Sequence, residues 1–146
     1  MKKLWLVTGA TGHVGTILVS VLLQRGEHVR ILVRPGSNVI PHSNVEVFEG
    51  DIRNRESLLP FFDRGDNDYV SLIHCAALIT IASKHNPELW NINVHGTDNV
   101  MSLARDTGVD RIVYVSSVHA IPERPANETI TEVSSFSPSL VHGQYA

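Results

Sequence analysis

Short β-branched runs alternate along this chain with longer stretches whose apolar residues recur every three or four positions, the pattern of strand–helix–strand units around a parallel sheet. Leu4 to Thr8 reads as a first strand. Val14, Ile17, Leu18, Val21 and Leu22 fall at i, i+3, i+4, i+7 and i+8, which predicts an amphipathic helix ending near Gly26. Val29 to Val33 is a second strand, closed by Arg34-Pro35-Gly36, and Val45 to Phe48 a short third. A weak helical pattern follows over Glu56 to Phe62. Tyr69 to Cys75 predicts a fourth strand, apolar nearly throughout, as for a strand covered on both faces. Leu89, Ile92, Asn93, Gly96, Val100 and Ala104 mark one face of a long helix running from about Pro87 to Gly108. Arg111 to Ser116 is the fifth strand. Beyond Val118 no period survives, and residues 119–146 read as a loop or a poorly ordered tail, rich in Pro, Ser, Thr and Glu. The expected architecture is a doubly wound α/β fold with parallel strand order 3-2-1-4-5, forming one domain over residues 1–146.

Composition narrows the setting. The 146 residues are 42% hydrophobic and 18% charged with a net charge of −3, the balance of a soluble globular protein. Such a charge gives no basic face for nucleic acid. The single cysteine, Cys75, cannot pair within the chain, which favours a reducing, cytoplasmic setting. The apolar run after Met1-Lys2-Lys3 is too short for a signal peptide, and Ser71 to Ala82 falls short of a membrane span. The eight histidines include no pair at metal-ligand spacing with Cys or an acid, so no metal site is expected. Cys75, on an apolar strand, reads as a small buried hydrophobe.

The chemistry begins at the turn after the first strand, Thr8-Gly9-Ala10-Thr11-Gly12-His13-Val14-Gly15. Glycines at these spacings permit a tight turn, a close approach of backbone to pyrophosphate, and close helix–strand packing. The helix N-terminus then presents amide groups and a partial positive charge to the phosphates. Gly9, Thr11, Gly12, His13, Val14 and Gly15 are therefore candidate dinucleotide-binding residues. After the second strand, where NAD enzymes place an acid to bond the ribose 2′-OH, stands Arg34. A guanidinium suits a 2′-phosphate, so NADP is the expected cofactor, with NAD the alternative; the competing reading is a solvated arginine.

Taken together these motifs resemble the extended short-chain dehydrogenase/reductases, the NAD-dependent epimerase/dehydratase family, over essentially the whole chain. Gly50-Asp51-Ile52 is similar to the family's Gly-Asp-hydrophobic signature, which implies that Asp51 and Ile52 meet the adenine. His74-Cys75-Ala76-Ala77 resembles the small-residue motif that lines the cofactor, giving Ala76 and Ala77. Asn91-Ile92-Asn93-Val94-His95-Gly96-Thr97 resembles the family's Asn-Val-x-Gly-Thr stretch, in which Asn93 is the structural asparagine, counted here among the cofactor-site residues. Tyr114-Val115-Ser116-Ser117 is similar to the end of the family's fifth strand and implies a catalytic hydroxyl at Ser117. Gln144-Tyr145-Ala146 looks like the start of Tyr-x-x-x-Lys, implying Tyr145 as general acid/base; its lysine partner would fall three residues past Ala146.

The resemblance implies hydride transfer between a nicotinamide and a carbon bearing oxygen, with a small-molecule substrate. It is nearest to dihydroflavonol reductase-like and 3β-hydroxysteroid dehydrogenase-like members. Nucleotide-sugar epimerases or dehydratases share most of the same motifs, and a non-catalytic NADP-binding protein is the third reading. On this reading the chain is the cofactor-binding part of a longer protein, truncated before the catalytic helix and substrate domain and inactive alone, with Tyr145 lacking a fixed place. Trp90 and Met101 form a second apolar stripe on the long helix, for core or for a homo-oligomer interface. Ile112 to Val115 would be an uncovered edge, prone to self-association unless the tail is mobile or folds back.

Overall fold

The computed structural model describes residues 1–80, 86–143 and 145. Five parallel strands, β1 (Lys3–Thr8), β2 (Val29–Val33), β3 (Val45–Glu49), β4 (Tyr69–His74) and β5 (Arg111–Tyr114), lie in the order β3-β2-β1-β4-β5. The first strand is central: Leu6 pairs with Arg30 on one side and with Leu72 on the other. The order reverses direction at β1, which opens a crevice at the carboxyl ends of β1, β2 and β4.

Alternation along the strands builds two cores. Leu4 and Leu6 of β1 face one side with Leu32, Val70 and Leu72, packed against Leu58, Phe61, Phe62, Val100 and Leu103. Trp5 and Val7 face the other with Ile31, Val33 and Ile73, packed against Leu22 and, beside it, Leu18, Val19 and Leu23 of helix α1 (His13–Gln24). This pattern is what a parallel sheet buried on both faces requires. Within the first core lies a charge: Arg30, 8% exposed, donates from Nε to Glu46 Oε2 at 2.7 Å and from its other arm to the Phe61 carbonyl at 3.1 Å. Its guanidinium sits 4.8 Å from the centre of the Phe48 ring, so the buried cation is paired and hydrogen-bonded as burial demands.

The sequence pattern is corrected in several places. The apolar stripe of α1 is divided: Leu18 and Leu22 reach the core, but Val14, Ile17 and Val21 are exposed. The third strand runs one residue further than its apolar pattern, to Glu49, which pairs with Val33. The helix expected over Glu56 to Phe62 shrinks to a 3-10 turn at Arg55–Leu58, capped by Asn54 accepting from the Glu56 amide at 3.1 Å. Pro60 ends it, because proline cannot supply the amide the next turn needs. The fourth and fifth strands stop short of Cys75 and of Val115, at His74 and Tyr114.

The long helix is not one helix. It comprises α2 (Pro87–Trp90), a π-helical segment Asn91–Gly96, and α3 (Thr97–Asp106). Asn86 caps its start by accepting from the Glu88 amide at 3.1 Å, with Pro87 in the first turn where its missing N–H costs nothing. Gly96 is required by packing: a Cβ there would lie 2.7 Å from the Ile52 side chain. The π segment stacks residues five apart, and the Trp90 indole N–H accordingly donates to His95 Nε2 at 3.1 Å.

Residues 118–143 carry only two short 3-10 turns, Val118–Ala120 and Pro138–Leu140, in line with the loss of period seen in the sequence. Ile112, Val113, Tyr114 and Val115 are each about 40–50% exposed at the sheet edge. No helix of the described residues is long and apolar enough to cross a membrane.

Candidate functional site

The glycine turn explains its own sequence. Gly9 adopts φ +68°, and a Cβ on it would lie 2.6 Å from the Ala76 amide nitrogen, so the turn and the end of β4 touch through backbone alone. Gly15 sits beneath the turn, where a Cβ would fall 2.1 Å from the Gly9 carbonyl oxygen. Gly12 donates its amide to the Gly9 carbonyl at 3.0 Å and heads α1, whose first helical bond runs from the Thr16 amide to the Gly12 carbonyl at 2.9 Å. No side chain caps this helix end and no acid lies in its first turn. Amides and dipole face outward, the arrangement that receives an anion.

A cavity of about 280 Å³ opens there, at the carboxyl ends of the strands. Its floor is Gly9, Thr11 and Gly12, and its sides bring Arg34, Asp51 and Ala76 together with Ile52 and Ala77. Eight of the sequence-predicted residues therefore converge on one crevice. Among the described residues, His13 and Val14 are not part of its lining; both are exposed on the first turn of α1, with Gly15 buried behind them. The cradle fits a dinucleotide: it is made of positions that a Cβ would fill, and it ends on an uncapped helix.

Sequence reasoning missed Arg53. Its guanidinium donates from Nε to both Asp51 oxygens at 3.0 and 3.1 Å and from a terminal nitrogen to Oδ2 at 2.6 Å, and its other arm reaches Glu88. This clamp holds the Asp51 carboxyl below the usual carboxylate range, with a smaller contribution from the charge of Arg34. Arg34 itself is exposed and makes no ion pair among the described residues, so Arg53 is neutralised by two carboxylates while Arg34 is not. The signal for Arg53 was its place two residues after Asp51, where a loop brings side chains onto the same carboxylate.

Asn93 acts on the chain next to the cavity. Its Nδ2 donates to the Leu78 carbonyl at 2.9 Å and its Oδ1 accepts from the Leu78 amide at 2.8 Å, fixing the segment that carries Ala76 and Ala77. Below that segment His74 is fully buried. Its Nδ1 lies 2.6 Å from Thr8 Oγ1 and its Nε2 3.1 Å from Thr97 Oγ1, and its ring stacks on Tyr114 at 5.7 Å. Thr8 Oγ1 also accepts from the Ala76 amide at 3.3 Å. Burial pushes the His74 imidazole down to about 4, so it is neutral. Cys75, expected as a buried hydrophobe, is half-buried and lines the cavity, its thiol pushed up by burial. Being one residue past the strand, it escapes the cover that helices give β4.

A second cavity, about 680 Å³, lies between the α2–α3 helical stretch, the end of β5 and the turn at Pro138. Ser117 and Tyr145 both line it, as does Asn93. Ser117 Oγ accepts from the His119 amide at 3.2 Å, and the His119 ring meets the Tyr145 ring edge to face at 6.1 Å. Ala77 belongs to both cavities, so they share a wall. Among the described residues no group of three or more His, Cys, Asp or Glu comes together as a metal site.

A doubly wound parallel sheet with a glycine cradle at its topological switch point defines a Rossmann-type nucleotide-binding protein. The chain belongs to the NAD dependent epimerase/dehydratase family, which it matches over residues 5–144. It is 41% identical to sterol demethylase protein B of Methylococcus capsulatus over 138 residues, covering 91% of this chain and 40% of that protein. It is 35% identical to a Mycobacterium tuberculosis 3 beta-hydroxysteroid dehydrogenase/Delta 5-->4-isomerase, covering 77% of this chain and 31% of that one. Among solved structures it resembles the Thermus thermophilus UDP-glucose 4-epimerase in complex with NAD, with TM-score 0.75 and 30% identity over 88% of this chain and 42% of that chain. The chain thus spans well under half the length of these relatives.

Proposed function

We propose that this chain is the cofactor-binding part of an NADP-dependent oxidoreductase that moves hydride between a nicotinamide and a carbonyl or secondary alcohol. The observation that carries the reading is the shared wall at Ala77: a dinucleotide cradle on one side, Ser117 and Tyr145 on the other. Gly9, Thr11 and Gly12, with the amides of His13, Val14 and Gly15, hold the pyrophosphate. Asp51 and Ile52 border the adenine, Arg34 takes the 2′-phosphate, and Ala76 and Ala77 line the cofactor beside the adenine and ribose, with Asn93 holding their segment in place. When bound, the nicotinamide accepts or donates the hydride. Tyr145 exchanges a proton with the substrate oxygen and Ser117 orients that oxygen by a hydrogen bond. The lysine position of the family's motif would fall three residues past Ala146. The relatives named as a sterol demethylase protein and a 3 beta-hydroxysteroid dehydrogenase support this reading.

A second reading, a nucleotide-sugar epimerase, draws support from the likeness to the Thermus enzyme. Calorimetric titration separates the cofactors. NADPH binds more tightly than NADH if Arg34 holds the 2′-phosphate, and Arg34→Asp narrows or reverses the preference by about ten- to a hundredfold. Equal affinities for the two would remove Arg34 from the site.

A further inference from the structure

The ends of β2 and β3 carry an inference that rests on the proposed NADP reading and deepens it. Val33 pairs with Glu49, and the Gly50 amide donates to the Val33 carbonyl at 2.9 Å, so Arg34 and Asp51 leave neighbouring strands almost side by side. Both line the cofactor cavity. A free carboxylate in such a cavity accepts from a ribose 2′-OH and repels a 2′-phosphate, which is how NAD is selected over NADP. The chain therefore holds a carboxylate able to select against the cofactor that Arg34 favours.

That carboxylate is occupied. Asp51 Oδ1 accepts from the Arg53 amide at 2.9 Å and from Arg53 Nε at 3.0 Å, and Oδ2 accepts from a terminal nitrogen of the same guanidinium at 2.6 Å. We propose that Arg53 is a positioning residue that sets cofactor choice through Asp51: by occupying that carboxylate it leaves Arg34 free for the 2′-phosphate of NADP. After the bonds from Arg53, the charge of Arg34 also helps to hold the Asp51 carboxyl below its usual range, so the two groups already sense each other. Without Arg53 the carboxylate turns to Arg34. NADP then meets a neutralised guanidinium and an uncompensated negative charge, while NAD meets an acceptor for its 2′-OH. Ser57 Oγ accepts from the Asp51 amide at 3.0 Å, so the backbone stays in place when the clamp is removed.

A double-mutant cycle on the 146-residue chain tests this, with NADPH and NADH each titrated by nicotinamide fluorescence at low salt, where exposed charges are least screened. The quantity read is the ratio of the two affinities. Arg53→Met lowers the wild-type preference for NADPH by about three- to tenfold. Asp51→Asn weakens both cofactors alike at the adenine and moves their ratio by less than about twofold, because its charge is already offset. Combined with Arg53→Met, it returns the ratio to within about twofold of wild type. A fall that persists in the double variant makes Arg53 a direct phosphate ligand and overturns the proposal, as does an unchanged ratio in Arg53→Met. If thermal melts show that Arg53→Met does not fold, Arg53→Gln takes its place in the same cycle. Failure to bind NADPH, or a preference that survives Arg34→Asp, brings down the proposed cofactor reading and this inference with it. A preference that depends on Arg34 but not on Arg53 brings down this inference alone.

Discussion

His74 Nδ1 and Thr8 Oγ1 stand 2.6 Å apart in the fully buried centre of the sheet, tying the last residue of β1 to the last residue of β4. The strand that leads into the glycine turn and the strand that leads into the Ala76–Ala77 wall are thereby locked side to side. Burial keeps the ring neutral. The imidazole titrates near 4 in the fold against 6.5 ordinarily, so the unfolded chain binds the proton more readily. Its contribution to stability is complete above about pH 6.5 and is lost as pH falls from there toward 4, reaching about 3 kcal/mol. Urea unfolding at pH 7.5 and pH 5 will show the wild-type midpoint falling, with a much smaller fall in His74→Asn. An equal fall in both would assign the acid sensitivity to other groups.

The glycines separate packing from backbone strain. Gly26 has φ +73° with nothing within 4 Å of an added Cβ, so Gly26→Ala costs about 1 kcal/mol of conformational strain and leaves NADPH binding intact. Gly9→Ala adds a collision with the Ala76 backbone to the same strain, and Gly15→Ala collides with the Gly9 carbonyl. Both therefore lower the melting temperature further and abolish dinucleotide binding. Thermal melts with an NADPH titration on the three variants check this.

Removal of the Asn93 side chain leaves the Leu78 amide and carbonyl without their partners. Asn93→Ala is expected to destabilise the chain by about 1–3 kcal/mol. Hydrogen exchange at the Leu78 amide will accelerate more than exchange at the sheet centre, because the loop opens before the fold does. Uniform acceleration would mean that Asn93 supports the whole domain and not this loop.

Asp51 stays ionised below the usual carboxylate range because Arg53 donates to both of its oxygens. Arg53→Met will return its titration toward the ordinary value, read by carboxyl NMR. The contribution to stability, present at neutral pH and lost as acid protonates Asp51, is small at this solvent-facing pair.

Much of this was legible beforehand where one chemical cause acts alone. Alternating strands and helices, the five-strand order and the glycine turn were all readable, because strand burial and close backbone approach each leave their own residue types. The 3-10 turn at Arg55–Leu58 was read as helix since apolar spacing does not register the break at Pro60. The π segment was invisible because Leu89, Gly96 and Val100 keep an α-like spacing on the core side. The exposure of Val14, Ile17 and Val21 was equally hidden, since an apolar stripe names a face without naming what covers it. Thr8 and Thr97 escaped notice because their importance lies in a partner distant along the chain, the His74 ring between them.

The meeting of Trp90 with His95 has a use of its own. Side chains five apart on an α-helix point about 140° away from each other, so these two rings touch only while the helix keeps its wide turn. The indole that borders the larger cavity is thus wired to the winding of the stretch that also carries Asn93 and Gly96. Any tightening of that coil frees the indole N–H from its imidazole acceptor and changes the light it emits. The protein carries, without a label, an optical gauge of helix pitch at the edge of its larger cavity.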